Sequence, residues 1–283
     1  MKGFAYARPH TVDEAVALLS AGGRRAVPVA GGTDLLVALR RGEVAPECLV
    51  DLSGIPELHE IRVERGGRTL RVGACVTHAR ASDDPLVRLH APLLAAACAV
   101  VGSVQVRNLG TVGGNVANAS PAADTFPALA ALDAAVEIRG PEGSRTVPLE
   151  AFVTSPNRTE LRRGELLVAL RIPLMGPHRW AFEKVGRRWA VAISRLSVAV
   201  AVCPWEGWAR IALGAVFPSP RRVPEAERVL AQGFDVRSAE RAGEAAEAAV
   251  RAVSGGRASM AYKLPVVSEL VARAARAALD GGR

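Results

Sequence analysis

The stretch 111–124, Thr-Val-Gly-Gly-Asn-Val-Ala-Asn-Ala-Ser-Pro-Ala-Ala-Asp, constrains this chain more than any other. It is nearly free of bulk, and around the pair Gly113-Gly114 stand the polar groups Thr111, Asn115, Asn118, Ser120 and Asp124. Paired glycines accept positive φ and let another group approach the backbone closely. Successive N–H groups in such a turn predict a concave nest for an anion. An earlier stretch, Val29-Ala30-Gly31-Gly32-Thr33-Asp34, has the same character. Two such loops in one chain predict one large ligand with a diphosphate, held from two sides.

Around these loops the chain reads as follows. Thr11 and Glu14 predict a capping box that opens a helix, with Val12, Ala15, Val16, Leu18 and Leu19 on its apolar face and Gly22 at its end. Residues 26–30 read as a strand, Gly31-Gly32 as a turn, and 33–41 as a helix stopping at Gly42. Thr33 is placed to cap that helix or to donate its hydroxyl to the ligand. Strand, glycine turn and helix in this order aim free N–H groups at a phosphate. Residues 48–52 read as a buried strand, 58–64 and 69–73 as a hairpin about Gly66-Gly67, and 86–101 as one alanine-rich helix. A second alanine-rich helix is expected at 124–132, a hairpin at 135–139 and 145–149, and a strand at 165–172. Proline and glycine concentrate at 174–178 and mark a boundary. Beyond it, 179–185, 193–203 and 208–217 read as three antiparallel strands, followed by helices at 224–231, 239–253 and 260–279, an α+β unit.

Composition narrows the function. With 283 residues, 49% of them hydrophobic, the chain has material for one large domain or two smaller ones. No apolar run reaches the roughly 18 residues of a membrane span. Residues 1–10 lack the apolar core of a signal peptide, so a cytoplasmic protein with no membrane span is expected. The net charge of +8 rests on arginine, with Lys2, Lys184 and Lys263 the only lysines. The charge is scattered and aromatics are 4%, which argues against nucleic-acid binding. Cys48, Cys75, Cys98 and Cys203 lack the close spacing of iron–sulfur or structural zinc ligands, so they read as core thiols in a reducing compartment. His10, His59, His78, His90 and His178 are isolated and read as solvated, which leaves a metal site or a Ser-His-Asp arrangement little support. The chain carries no G-x-G-x-x-G and no G-x-x-x-x-G-K-[ST] motif. What remains is a site of backbone amides and small polar side chains, suited to a cofactor that brings its own chemistry. A flavin with its ADP tail suits two phosphate-binding loops.

Three motifs together carry a family resemblance: Ala30-Gly31-Gly32-Thr33-Asp34-Leu35-Leu36, then Arg107-Asn108-Leu109-Gly110-Thr111-Val112-Gly113-Gly114-Asn115, then Ser120-Pro121-Ala122-Ala123-Asp124. In order and spacing the chain resembles the FAD-binding medium subunit of the molybdenum hydroxylases, the family of xanthine dehydrogenase, carbon monoxide dehydrogenase and related aldehyde and N-heterocycle dehydrogenases. The resemblance continues through Phe182-Glu183-Lys184 to Ser259-Met260-Ala261-Tyr262-Lys263.

The resemblance implies an α+β fold: a vanillyl-oxidase (PCMH)-type FAD-binding domain over 1–175, in two α/β subdomains of about 1–55 and 56–175, then a C-terminal α+β domain over 176–283. It implies that Val29, Ala30, Gly31, Gly32, Thr33 and Asp34 bind the diphosphate, and that Thr111, Gly114 and Asn115 wrap FAD from the other side. Asp124 would bond ribose or adenine-side hydroxyls, Val101 and Gly102 would lie by the isoalloxazine ring or ribityl chain, Leu167 by the adenine end, and Lys184 near the flavin. A lysine in a chain that nearly always chooses arginine independently hints at a need for a compact charge. No residue is implied to be catalytic and none to bind a metal. The implied partners are a molybdenum-cofactor large subunit and a [2Fe-2S] small subunit, as a dimer of heterotrimers, with NAD, oxygen or a quinone as external electron acceptor. Arg187-Arg188-Trp189-Ala190-Val191-Ala192 is bulkier and more apolar than the corresponding loop of relatives, so no acceptor preference carries over. Two other readings stay open: a self-contained flavin oxidoreductase of the same fold, and a non-catalytic nucleotide-binding or assembly module whose glycine pairs are only turns.

Overall fold

The computed structural model describes residues 3–21, 25–188 and 192–281. Gly22, expected to close the first helix, and Trp189, Ala190 and Val191 of the loop after Lys184 lie outside those residues.

The chain opens with a three-stranded parallel sheet in the order Ala5–Ala7, Cys48–Asp51, Ala26–Val29. Helix Val12–Ser20 covers it through Val12, Ala15, Val16 and Leu19, while Leu18 stands exposed. Thr11 caps this helix, accepting from the Glu14 amide at 3.2 Å. The expected reciprocal bond reaches one residue further back: the Glu14 carboxylate accepts from the His10 amide at 2.8 Å.

A five-stranded antiparallel sheet follows, in the order Ile61–Val63, Thr69–Gly73, Leu166–Pro173, Ala135–Gly140, Gly143–Pro148. Its central strand Leu166–Pro173 is a near-continuous apolar run because both of its faces are covered. A bulge at Val168 frees that carbonyl to accept from the Ala74 amide, which anchors the turn leaving Thr69–Gly73. Within this sheet Arg71 is only 1% exposed, and its guanidinium is shared by Glu57 and Glu137 at 3.2 and 3.1 Å.

Short helices form the layer that carries the site: His78–Asp83, Pro85–His90, Pro92–Ala99, Val104–Leu109, Val112–Asn118 and Thr125–Ala131. The single helix expected over 86–101 is two helices, because Pro92 has no N–H to continue the ladder and instead starts a new first turn.

The C-terminal domain is an antiparallel sheet in the order Arg179–Gly186, Ser194–Cys203, Trp208–Gly214, Arg221–Arg222, backed by helices Pro224–Leu230, Val236–Ser254 and Met260–Leu279. The three expected strands are present, and the two-residue Arg221–Arg222 pairs at the edge. Alternation along Ser194–Cys203 serves both sides of the sheet. Val198, Val200 and Val202 face the helices, while the small Ala199 and Ala201 let the first core come close. The two halves are also joined by ions. Arg222 donates to Asp133 at 2.7 Å and pairs with Glu227 through two bonds of 2.8 and 2.7 Å, and Arg210 reaches Asp133 at 2.9 Å.

Candidate functional site

The two glycine stretches, so far apart in sequence, line one cleft of about 360 Å³, with Gly31, Gly32, Thr33 and Asp34 on one wall and Thr111, Gly114 and Asn115 on the other. Their closest join is at Gly31. A Cβ there would lie 1.9 Å from the Leu109 carbonyl oxygen and 2.9 Å from Gly110 Cα, so only a hydrogen fits. Gly32 follows at φ +68°, the left-handed turn that leads into helix Leu35–Arg40. Thr33 does not cap that helix: Asp34 holds the N-cap position and makes no side-chain cap bond. Among the described residues, no protein acceptor takes the amide N–H groups of Gly31, Gly32, Thr33 or Asp34. This wall therefore presents free donors to the cleft.

The second stretch works differently from the expected nest. It is helical over Val112–Asn118, and neither Gly113 nor Gly114 has a positive φ. Its amides are already used: Val112 donates to Val76 O at 2.9 Å, Gly113 to Ala74 O at 3.1 Å, and Gly114 to the capping Thr111 hydroxyl at 3.0 Å. The glycines are required by crowding instead. A Cβ on Gly113 would sit 2.6 Å from Ala74, and one on Gly114 would sit 2.9 Å from Thr111 Oγ1. This wall offers a tight backbone surface plus the Asn115 and Asn118 side chains, with Asn115 Oδ1 held by Thr125 Oγ1 at 2.5 Å.

A larger lobe of about 740 Å³ adjoins the first, lined by Val100, Gly102, Arg107, Phe182, Lys184 and Val185 among others. The lobes meet at residues 100–102, which Arg107 clamps by donating to the carbonyls of Val101 and Gly102 at 3.1 and 3.2 Å. Lys184 is not a solvated strand residue. Its ammonium donates to Asp124 Oδ2 at 2.6 Å and to Val100 O at 2.9 Å, and Ser194 Oγ donates to the other Asp124 oxygen. Burial raises the Asp124 carboxyl above the usual range, against the pull of its bonds to Lys184 and Ser194. Both Asp124 oxygens are thus engaged by protein partners, and the carboxylate ties helix Thr125–Ala131 to the C-terminal sheet behind the ring-sized lobe. Leu167 lines neither lobe. It is 3% exposed on the central strand, opposite Ile138.

Two cleft residues escaped the sequence reading. Arg107 belongs to the second family motif, where nothing local in the sequence assigns it a role. His78 was read as a solvated histidine, yet it is 2% exposed, lines the smaller lobe, and is pushed down to a pKa of about 4 by burial, helped by the positive charge of Arg107. No local sequence pattern marks it: its place is set by Thr77, which caps helix His78–Asp83 and bridges to Thr111.

An extended dinucleotide needs a narrow, donor-lined passage for its diphosphate and a broader, partly apolar chamber for a ring. The lobe beside Gly31–Asp34 supplies the first, and the lobe of Phe182, Val185 and Lys184 supplies the second, so the residues fit FAD. The fold and the cleft define a flavin-dinucleotide-binding protein. A family model described as the FAD binding domain in molybdopterin dehydrogenase matches residues 2–175, and one described as the CO dehydrogenase flavoprotein C-terminal domain matches 180–278. The carbon monoxide dehydrogenase medium chain of Hydrogenophaga pseudoflava is 36% identical over 285 residues, spanning 97% of this chain and 96% of that one. The nicotine 6-hydroxylase medium subunit of Paenarthrobacter nicotinovorans is 32% identical, over 95% and 94% of the two chains. Among solved structures, the cyanide-inactivated form of the Cu,Mo-CO dehydrogenase matches over 100% of both chains with a TM-score of 0.91 at 32% identity. Quinoline 2-oxidoreductase from Pseudomonas putida 86 matches over 99% of each chain with a TM-score of 0.89 at 32% identity. The chain belongs to the family of FAD-binding medium subunits of molybdenum hydroxylases, flavoprotein subunits of dehydrogenase complexes.

Proposed function

We propose that this chain relays electrons, through FAD, from iron–sulfur clusters on a partner chain to an external acceptor. The observation that carries the reading is the two-lobed cleft, with unpaired amides in its narrow part. FAD supplies the exchange between two-electron and one-electron transfer; the protein positions it. Val29, Ala30, Gly31, Gly32, Thr33 and Asp34 hold the diphosphate, chiefly through the free amides of the last four. Thr111, Gly114 and Asn115 close the opposite wall, and Val101 and Gly102 form the neck. Lys184 places a positive charge beside the ring chamber, held there by Asp124. Leu167, buried on the central strand, is assigned to the cofactor's adenine end by the family resemblance alone.

The implied complex adds a molybdenum-cofactor large subunit and a [2Fe-2S] small subunit, as a dimer of heterotrimers. Exposed Val100, Val104 and Leu109 beside the cleft support a partner surface there, since apolar side chains grouped on a surface mark contacts. The acceptor is NAD, oxygen or a quinone. We divide the chain into an FAD-binding domain over 1–175, with subdomains of about 1–55 and 56–175, and a C-terminal domain over 176–283. The four cysteines are free and buried, in keeping with a reducing compartment such as the cytoplasm. Among the described residues no helix is long and apolar enough to cross a membrane.

The test is to co-purify the chain with its untagged genomic neighbours and to assay the complex for flavin, iron and molybdenum. Rapid mixing with the partner's reducing substrate should bleach the iron–sulfur bands and then the flavin band. A complex that turns over while its flavin stays oxidised rejects the relay.

A further inference from the structure

His78 faces the cleft with more preparation than a packing residue requires. Its backbone amide donates to Gly110 O at 3.0 Å, which fixes its position beneath the neck of the second loop. Its Nδ1 lies 3.5 Å from the Cys98 thiol. Cys98 is fully buried, and burial raises that thiol far above its ordinary range, so it remains S–H. A thiol that donates to Nδ1 leaves the ring proton on Nε2. The opposite ring edge borders the cleft: the position of a Cβ on Gly110 lies 3.4 Å from His78 Cδ2 and 3.4 Å from Thr33 Oγ1. Nε2, the atom next to Cδ2, has no hydrogen-bond partner among the described residues and is not sealed from solvent. A buried ring with one nitrogen fixed and the other open stands beside the free amides of Gly31–Asp34.

We infer that His78, oriented by Cys98, is a cofactor-binding residue that donates from Nε2 to a diphosphate oxygen of the bound dinucleotide. The inference rests on the FAD reading of the cleft. Phosphate oxygens only accept, so an Nε2–H donor complements them where an unprotonated nitrogen would repel them. The ring stays neutral through burial and through the charge of Arg107, so it adds direction to the site and leaves the counter-charge to other groups. His78 thereby continues the row of backbone donors onto the floor of the cleft.

The experiment uses the full chain freed of flavin, labelled with 15N, with His78 ring nitrogens observed by long-range 1H–15N correlation. Before ligand, Nε2 should show the protonated signature and Nδ1 the unprotonated one. ADP, which carries the diphosphate without the flavin ring, should shift Nε2; riboflavin, which carries the ring without phosphates, should leave it in place. In parallel, His78→Leu should weaken FAD binding by 10- to 100-fold, roughly the loss of one hydrogen bond to a charged group. His78→Gln, which keeps a donor near Nε2, should stay within about threefold of the wild type. A folded His78→Leu variant that binds FAD as tightly as the wild type overturns the inference and leaves the FAD reading intact, as does an Nε2 signal that answers riboflavin and ignores ADP. If His78→Leu does not fold, the ring-nitrogen titration of the wild type still decides. A wild-type chain that binds neither FAD nor ADP overturns both.

Discussion

Gly31→Ala is the sharpest perturbation of this site, because the added carbon meets backbone and no flexible side chain can yield. The new Cβ would stand 1.9 Å from Leu109 O and 2.6 Å from its carbonyl carbon. Ordinary C···O contacts begin at about 3.3 Å, so the two loops must part by roughly 1.4 Å. Overpacking of this kind costs about 1–3 kcal/mol where the surroundings resist. Both loops border an open cleft, so much of that strain is relieved by moving the Gly31–Asp34 donors away from their ligand. Losing one or two hydrogen bonds to a diphosphate, each worth about 1.5–3 kcal/mol, predicts a rise of about 100-fold in Kd for FAD. The thermal midpoint without flavin should fall by only about 2–6 °C. Flavin fluorescence quenching gives the first quantity and calorimetry the second. Gly66→Ala is the control. That glycine has a positive φ, +107°, and a Cβ there meets nothing within 4 Å, so it should cost about 1–2 kcal/mol of stability through backbone strain alone and leave FAD affinity unchanged. A Gly31→Ala chain that binds FAD as the wild type does would refute the reasoning, since the loops would then not meet where Gly31 places them.

Asp124→Asn leaves the Lys184 ammonium, whose side chain is 14% exposed, without its counter-charge; about 3–5 kcal/mol of stability should be lost, and the paired change Asp124→Asn with Lys184→Met should recover part of it by calorimetry. Arg222→Ala strands Glu227, 8% exposed, and weakens the link to Asp133, so urea unfolding should show a loss of about 3 kcal/mol and an earlier separation of the two halves. Acid should act through His78. Its folded pKa of about 4 lies below the ordinary 6.5, so between those values the unfolded chain binds more protons than the native one. Stability from this group is complete above about pH 6.5 and drains as pH falls towards 4. Urea titrations of the wild type should show about 2–3 kcal/mol of loss between pH 7 and 4.5 that His78→Gln does not share.

The hairpins were legible from alternation about turn glycines such as Gly66-Gly67, and the long C-terminal helices from apolar residues recurring at helical spacing over many residues. The convergence of the two glycine stretches was legible too, though through their chemistry more than their periodicity. What a glycine pair cannot announce is why small size is needed. At Gly32 the reason is a positive φ; at Gly31, Gly113 and Gly114 it is the closeness of another chain segment or hydroxyl, and that neighbour lies far away in sequence or a turn away in a helix. Pro92 was misread for a related reason: an apolar, alanine-rich run looks continuous, and a proline serves equally well as an interruption or as the first residue of a new helix. Arg71, His78 and the Asp124–Lys184–Ser194 cluster depend on partners brought in from other elements, which no local pattern records.

A crystal structure of the chain with FAD tests the central claim most directly. The diphosphate should lie within hydrogen-bond distance of the Gly32 and Thr33 amides, against the wall formed by Thr111 and Asn115, with the isoalloxazine ring in the lobe beside Lys184. Density for the diphosphate anywhere outside the seam where Gly31 abuts Leu109 would contradict the account.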